Sequence, residues 1–332
     1  MTLNVAFPAL LEAFFTERLM RQKRASPHTI ASYRDSFSLL LRFTQKRLGK
    51  APSALTLDDL DAPLISAFLD DLEQTRETSA RSRNVRLSAI HSFFQYAALL
   101  VPSHSGLIQR VLAIPSKRYS RTPIDFLLGT EIDALLAAPD QHTWSGRRDR
   151  TLMLVAVQTG LRVSELTGLC WQDVTLGTGT HVSCTGKGRK TRSTPLRKDA
   201  VTALRAWQRE QQSRPQDPVF PSARGRRLSR DGVAYLLTKH VTTAQQHCPS
   251  LQGKRVTPHV LRHSAAMMLL HSGVDSAVIA MWLGHESMDT IQMYLHASLE
   301  LKQQALDKTT PLNGSPGRYQ PDDDLLTFLK GL

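Results

Sequence analysis

Apolar side chains recur at helical spacing through the first hundred residues, and each run follows a recognisable helix start. Ser26-Pro27 is typical of an N-cap serine followed by proline at the first helical position. Thr56 opens a segment that resembles a capping box, and Ser79 can cap a further helix. The pattern predicts a helical domain over residues 1–101, with its first helix starting near residue 7.

The second half of the chain combines helices with one short β-hairpin. Thr130 can cap a helix, and Arg150–Thr159 has the pattern of a buried helix that Gly160 stops. Residues 180–196 alternate around Gly-Lys-Gly-Arg, which is typical of two strands joined by a turn. The predicted fold class is therefore mainly α with a small β-hairpin or sheet (α+β).

A change in composition separates the two halves. Residues 102–125 mix proline, serine and basic side chains, as interdomain linkers do. We therefore expect a helical domain, this linker, a second domain over residues 126–308, and a tail over residues 309–332. The tail ends in a short apolar segment.

The chain has 332 residues and a formal net charge of +13. A surplus of this size repels itself unless an anionic partner is near, so nucleic acid or an acidic membrane surface is the expected partner class. No stretch approaches the roughly 18–20 apolar residues of a membrane span, and the start lacks the basic region of a secretory signal. Cys170, Cys184 and Cys248 form no CxxC pair, which argues against a disulfide framework or a zinc site. We expect a cytoplasmic protein with no membrane association.

Several basic side chains are candidates for contact with phosphates. Three lie in the first turns of the helix that Ser79 can cap, where arginine opposes the helix dipole: Arg81, Arg83 and Arg86. An ordinary solvated face explains them equally well. The linker adds Lys117, Arg118 and Arg121, which would suit a strap along a phosphate backbone. Arg189 in the predicted hairpin is a further candidate, although it could belong to an ordinary charged turn.

Six side chains of the second domain could share one site. In chain order they are Arg162, Lys187, His259, Arg262, His285 and Tyr294. Arg162 follows the glycine that stops a helix, and Lys187 lies at the hairpin tip between two glycines. His259 and Arg262 share one face in the first turns of a helix that Thr257-Pro258 begins, at an end that favours anions. Another predicted helix, over residues 274–283, ends at a glycine directly before His285.

This set suits the transfer of a phosphodiester to a tyrosine. Arg162 and Arg262 can clamp the non-bridging oxygens and stabilise charge that develops at phosphorus. Tyr294 is the nucleophile candidate, and its ordinary pKa of about 10 means that cations or a base must activate it. His259 can accept the proton, and Lys187 can protonate the departing sugar oxygen.

Two further observations concern carboxylates and metals. Glu165 lies three residues after Arg162 and can orient its guanidinium. His259 and His263 have the spacing of two zinc ligands, but Val260 stands where a zinc peptidase has glutamate. No carboxylate cluster offers a divalent-metal site, so we expect no metal and no cofactor.

The order of these residues resembles that of the tyrosine recombinases, the lambda-integrase family that includes the Cre and Xer proteins. The motifs TGLRVSEL, GKGRK, TPHVLRH and LGHES match the family closely within residues 126–305, and all six catalytic positions are filled. Residues 7–100 match its helical core-binding, SAM-like domain more loosely. Thr290-Ile291 departs slightly, because a second threonine is usual there.

The resemblance implies a mechanism and partners. Tyr294 would form a 3′-phosphotyrosyl link and free a 5′-hydroxyl, which then attacks a partner strand without metal or ATP. Four protomers would act on two double-stranded DNA sites with short inverted repeats, and partner recombinases are compatible with this scheme. The apolar tail segment would dock on a neighbouring protomer, or it could fold back on its own core. The expected location is a bacterial-type cytoplasm, in association with the nucleoid.

Several biological roles remain open at this level. Integration, excision or transposition of a mobile element is our first expectation, and Xer-like dimer resolution is the second. A type IB-like topoisomerase would use the same chemistry to relax supercoils. A non-catalytic DNA-binding regulator is a different class, and the intact set from Arg162 to Tyr294 argues against it.

Overall fold

The computed structural model describes residues 6–120, 124–186 and 191–284. The chain forms two compact units, Met1–Arg121 and Thr122–Leu332. Five predicted site residues lie outside the described ranges, as does the tail of residues 309–332. They are Arg121, Lys187, Arg189, His285 and Tyr294.

The first unit is built from helices. They are α1 (Phe7–Ala13), which continues as a π-helical segment (Phe14–Gln22), α2 (Pro27–Leu48), α3 (Ala62–Arg76), α4 (Ala80–Leu100) and α5 (Ser105–Leu112). The caps predicted for two of them are confirmed. Ser26 Oγ accepts a hydrogen bond from the Thr29 amide at 3.2 Å, and Ser79 Oγ accepts one from the Ser82 amide at 3.3 Å.

The start of α3 differs from the prediction. Asp61, rather than Thr56, caps this helix and accepts a hydrogen bond from the Leu64 amide at 2.8 Å. Thr56 instead donates its amide to Asp59 at 2.9 Å, which leads into a short 3₁₀ turn. Aspartate is a strong N-cap, and a proline in the first turn of α3 reinforces the later start.

Aromatic rings fill the core of the first unit. The Phe14 ring lies 6.2 Å from that of Phe37 and 5.6 Å from that of Phe93, both in edge-to-face contact. Ile108 and Val111 of α5 are buried in the same core. Residues 102–112, which we assigned to the linker, are therefore part of the first unit, and their prolines and serines begin short helices.

The second unit combines helices with one antiparallel sheet. Its helices are α6 (Gly129–Ala137), α7 (Trp144–Thr159), α8 (Val163–Gly168), α9 (Lys198–Gln211), α10 (Arg230–Ala244), α11 (Pro258–His271) and α12 (Ser276–Leu283). The strands are β1 (Val174–Thr175), β2 (His181–Thr185) and β3 (Thr191–Pro195), in the order β1-β2-β3. The fold class is confirmed, and β1, with two residues, was too short to predict.

Two helix starts in this unit were predicted wrongly. Leu128 is the N-cap residue of α6, and its amide donates to Glu131 at 2.8 Å, so Thr130 lies within the helix. Helix α7 begins at Trp144, six residues before the predicted start. Its first turns are polar because Arg148 and Asp149 are buried as an ion pair, which hides the helix from a search for apolar spacing.

The end of α12 approaches α7 closely at one glycine. Helix α11 packs on α7, and α12 packs on both α11 and β3. Gly160, just after α7, has a φ of +61°, and a Cβ at this position would lie 2.4 Å from Leu283 Cδ2. Only glycine allows both the left-handed turn and this contact.

None of the described helices combines the length and the apolar character that crossing a bilayer requires.

Candidate active site

Arg162 lies where α7 ends and α8 begins. Its backbone amide donates to Glu165 Oε2 at 2.8 Å, and its Nη1 donates to Glu165 Oε1 at 2.9 Å. Its Nη2 donates to the carbonyl of Gly284 at 2.9 Å. The Arg162 side chain is 29% exposed, so the guanidinium is fixed but still reaches the surface.

Arg262 is buried on α11, and two backbone carbonyls hold its guanidinium. Nη1 donates to the Gly160 carbonyl at 2.6 Å, and Nη2 donates to the Leu283 carbonyl at 2.7 Å. The helix that carries it starts as predicted, because Thr257 Oγ1 accepts a hydrogen bond from the Val260 amide at 3.3 Å. Arg162 and Arg262 are thus brought together at the end of α12.

Three successive carbonyls at this end of α12 each accept a hydrogen bond from a different arginine. Leu283 and Gly284 bind Arg262 and Arg162, and the carbonyl of Trp282 accepts from Arg192 Nε at 3.1 Å. The C-terminal end of a helix carries partial negative charge and unpaired carbonyls, so cations stabilise it. This arrangement lies immediately before His285 in the chain.

Glu165 is a buried carboxylate between two arginines. Besides Arg162, it accepts from Arg192 Nη1 at 3.1 Å and Nη2 at 2.7 Å. Burial alone would raise the pKa of Glu165, but the hydrogen bonds and charges of Arg192 and Arg162 outweigh burial and lower that pKa. Glu165 is therefore ionised at neutral pH, and it accepts hydrogen bonds from both the amide and the guanidinium of Arg162.

Arg192 was not predicted from the sequence. Its partners lie 27 and 90 residues away in the chain, so no local pattern reveals them. The available signal was its place in the strand that follows the hairpin turn. There it is the register partner of Cys184, whose side chain is buried.

His259 lies in the first turn of α11 and remains partly exposed. Partial burial of the imidazole lowers its pKa, and the positive charges of Arg230, Arg262 and Arg162 lower it further. The ring is therefore neutral at pH 7 and can accept a proton. Arg230, at the start of α10, is a second residue that the sequence analysis missed. Burial also lowers the pKa of His263 to about 4.

The structure corrects part of the predicted phosphate-binding face on α4. Arg83 is buried, with its Nη1 donating to the Pro115 carbonyl at 3.3 Å and its Nε 3.8 Å from Glu73. Arg86 is half-buried, and its Nη1 donates to Ser36 Oγ at 3.1 Å. Both side chains join elements of the first unit, so they do not form an exposed basic face.

Other predicted contact residues do lie at the surface. Arg81 and Arg118 are exposed. Lys117 is exposed as well, although its Nζ lies 2.5 Å from Glu73 Oε2 and its backbone is bound to Asn84. Within the part of the chain that the structure describes, no group of three or more His, Cys, Asp or Glu side chains could hold a metal ion.

Both units match known protein families. Residues 125–300 match the phage integrase family, and residues 13–99 match the SAM-like N-terminal domain of phage integrases. A proposed integrase/recombinase of Sinorhizobium fredii, y4rC, is 58% identical over the full length of both chains. Tyrosine recombinase XerC of Pelobacter propionicus is 32% identical over 91% of this chain and 95% of its own.

Two solved structures share the fold. XerH site-specific recombinase, in a post-cleavage complex with a palindromic difH substrate, aligns with a TM-score of 0.69 at 22% identity, over 86% of this chain and 81% of that one. The Tn1549 transposon integrase, in complex with transposon right end DNA, aligns with a TM-score of 0.69 at 14% identity, over 89% and 98% of the two chains. The resemblance predicted from the motifs is confirmed. The chain belongs to the phage integrase family and is a tyrosine site-specific recombinase.

Proposed function

We propose that this chain cuts and rejoins double-stranded DNA through a 3′-phosphotyrosyl bond at Tyr294. One observation carries the proposal: Arg162 and Arg262 are locked side by side on backbone carbonyls at the end of α12, with a neutral His259 nearby. Two fixed guanidinium groups suit the non-bridging oxygens of one phosphodiester. Because they are held before DNA arrives, little reorganisation is needed in the transition state.

The steps conserve bonds and protons. The phenolic oxygen of Tyr294 forms a bond to phosphorus while the bond from phosphorus to the 5′ oxygen breaks. His259 accepts the phenolic proton, because its lowered pKa leaves the ring unprotonated at neutral pH with a nitrogen lone pair available. Lys187 donates a proton to the departing 5′ oxygen, and His285 adds a hydrogen bond to the phosphoryl group. Attack by a 5′-hydroxyl of a partner strand reverses the steps, so no external energy source is needed.

The proposed biological role is integration, excision or transposition of a mobile element. The full-length relative at 58% identity, y4rC, is a proposed integrase/recombinase, which favours this role. The 32% identity to XerC favours dimer resolution as the second candidate. In either role four protomers would assemble on two DNA sites with inverted repeats, with the tail of one protomer docked on the next. The enzyme would act on DNA of the bacterial nucleoid.

The test is covalent trapping on nicked DNA. Wild-type protein and Tyr294→Phe would be mixed with DNA from both flanks of the gene, denatured, and scored for adducts that resist SDS. We expect an adduct with wild type only, and equal DNA binding by both proteins. An adduct with Tyr294→Phe would assign the nucleophile elsewhere. If wild-type protein binds its recombination site on DNA but never cuts it, the proposal is refuted.

Product analysis then separates the roles. Joined products from two sites, dependent on both sites, indicate recombination. Relaxation of a supercoiled plasmid that lacks the sites would indicate a topoisomerase instead. Recombination between the two ends of an element supports the mobile-element role, whereas resolution of plasmid dimers alone supports the Xer-like role.

A further inference from the structure

We propose that Arg192 is a positioning residue for the phosphate clamp, by which we mean the guanidinium groups of Arg162 and Arg262. It holds this clamp, the β2–β3 hairpin and the end of α12 in one rigid arrangement. The inference rests on the proposed function, because it concerns the geometry of that same site. Nε and both Nη atoms of Arg192 are already engaged by groups of the protein. Arg192 acts through Glu165 and through the backbone of α12.

Each edge of the Arg192 guanidinium has a defined partner. Its two Nη atoms donate to the two carboxylate oxygens of Glu165, at 3.1 and 2.7 Å. Its Nε donates to the carbonyl of Trp282 at 3.1 Å. The side chain is only 13% exposed, so water competes little for these bonds. A planar, bidentate fork of this kind fixes direction as well as charge, which lysine cannot reproduce.

Glu165 passes this order on to Arg162. The carboxylate that Arg192 grips also accepts the Arg162 amide and its Nη1. Without Arg192, one cation would remain for a carboxylate whose side chain is 5% exposed. A buried carboxylate that loses a hydrogen-bonding cation either changes its position or recruits a water molecule as a new partner. The Arg162 guanidinium would then lose the fixed direction in which it meets the phosphate.

Arg192 also supports the turn that leads to His285. A Cβ on Gly284 would lie 2.8 Å from Arg192 Nη1, so the guanidinium packs directly against this glycine. Gly284 has a φ of +64° and ends α12. Its carbonyl binds Arg162, so Arg192 contacts both groups that hold the Arg162 guanidinium, Glu165 and Gly284.

The position of Arg192 on β3 ties the hairpin to the clamp. Arg192 pairs in register with Cys184 of β2, and Thr191 pairs with Thr185 at the last described step before the turn. Lys187 follows two residues after Thr185 in the chain. Arg192 therefore joins three segments: α8 directly after Arg162, strand β2 before Lys187, and the end of α12 before His285. A buried ion pair that only stabilises the fold is the competing explanation, and the two differ in what they predict.

The experiment compares Arg192→Met, Arg192→Lys and a matched control, Arg197→Ala. Arg197 is an exposed arginine five residues further on that pairs with Asp199, so its loss removes the same charge. Single-turnover cleavage of nicked site DNA at saturating DNA should fall by about 100-fold in Arg192→Met, as expected for a displaced reacting group. Affinity for DNA should be unchanged. Arg192→Lys should recover part of the rate, and Arg197→Ala should match wild type.

Two further readouts exclude a purely structural role. Arg192→Met combined with Glu165→Gln should be no slower than the slower single variant, because the two side chains act as one unit. A 5′-bridging sulfur makes the leaving group independent of its proton donor, so it should restore only the part of the rate of Arg192→Met that depends on Lys187, and not the full rate. Additive losses, or full rescue by sulfur, would overturn the inference.

Hydrogen exchange of the free full-length protein separates this inference from the proposed function. In Arg192→Met, the Arg162 amide should exchange on the order of tenfold faster than in wild type, while α4 is unchanged. If wild-type protein never cuts the DNA that it binds, the proposed function is refuted. Hydrogen exchange at the Arg162 amide would then still test whether Arg192 positions Arg162. Unchanged exchange at Arg162 would refute the role of Arg192, even if wild type cuts normally. Arg192→Lys gives the same comparison should Arg192→Met fail to fold.

Discussion

Gly160 offers a direct test of how closely α12 must approach α7. The change Gly160→Ala places a methyl group 2.4 Å from Leu283 Cδ2 and 3.3 Å from Ala265 Cβ. An L-residue in a left-handed turn costs about 1–2 kcal/mol, and overpacking of a tight core costs about 1–3 kcal/mol more. We therefore expect the free energy of unfolding of the second unit to fall by roughly 2–5 kcal/mol.

Gly273→Ala is the matched control for this prediction. Gly273 lies in the same unit with a φ of +75°, and a Cβ there would meet no atom within 4 Å. This variant should therefore lose only the backbone cost of about 1–2 kcal/mol. Urea unfolding followed by tryptophan fluorescence measures both, since the four tryptophans, Trp144, Trp171, Trp207 and Trp282, all lie in the second unit.

Cleavage rates of the two glycine variants complete the test. The Gly160 carbonyl binds Arg262, and the Leu283 carbonyl binds the same guanidinium. A displaced Leu283 should therefore slow cleavage by Gly160→Ala, at temperatures where the variant is folded, while Gly273→Ala cleaves normally. Equal losses of stability in the two variants would refute the steric argument, and normal cleavage by a folded Gly160→Ala would refute its link to the clamp.

Three further predictions concern charge. Since the pKa of His259 lies below its usual value of about 6.5, the single-turnover cleavage rate should persist to below pH 6.5 and fall as the ring gains a proton. Arg230→Ala removes a positive neighbour, so it should raise this pKa and move the acidic fall of the rate to higher pH. Asp149→Ala removes the ion-pair partner of the buried Arg148 and the 2.8 Å hydrogen-bond partner of His240. The free energy of unfolding in urea should therefore fall by about 3–5 kcal/mol, and a fall below about 1 kcal/mol would contradict this. Arg162→Ala should slow cleavage by about 10²–10³, and a neutral methylphosphonate at the cut site should narrow that gap if the arginine balances phosphate charge.

The helix ends that carry the clamp were predictable because their signals are local. A glycine after α7 and a threonine-proline pair before α11 fix where Arg162 and Arg262 stand, and both helices end or begin as predicted. The chemistry of each side chain then limited what the group could do. The grip of Arg192 on Glu165 could not be predicted in this way, because it depends on how β3 packs against α8.

The same limit explains the error at Arg83. Its place in the first turn of a polar helix suggested exposure, but Glu73 of α3 and the Pro115 carbonyl lie over it in the fold. Burial of an arginine depends on neighbours that are distant in sequence. Helix α5 was missed for a related reason, since its eight residues carry an apolar face that has meaning only against the core of the first unit.

The bond between Asn84 and the backbone of Lys117 has a practical consequence for hybrid recombinases. Asn84 Nδ2 donates to the Lys117 carbonyl at 2.8 Å, and its Oδ1 accepts from the Lys117 amide at 3.0 Å. A fusion joined at residue 101 would remove α5 and the bond between Asn84 and Lys117. It would also expose the core residues of the first unit that Ile108 and Val111 cover. Exchange of the first unit between relatives should therefore use a junction after residue 117, so that Asn84 and Lys117 come from the same protein.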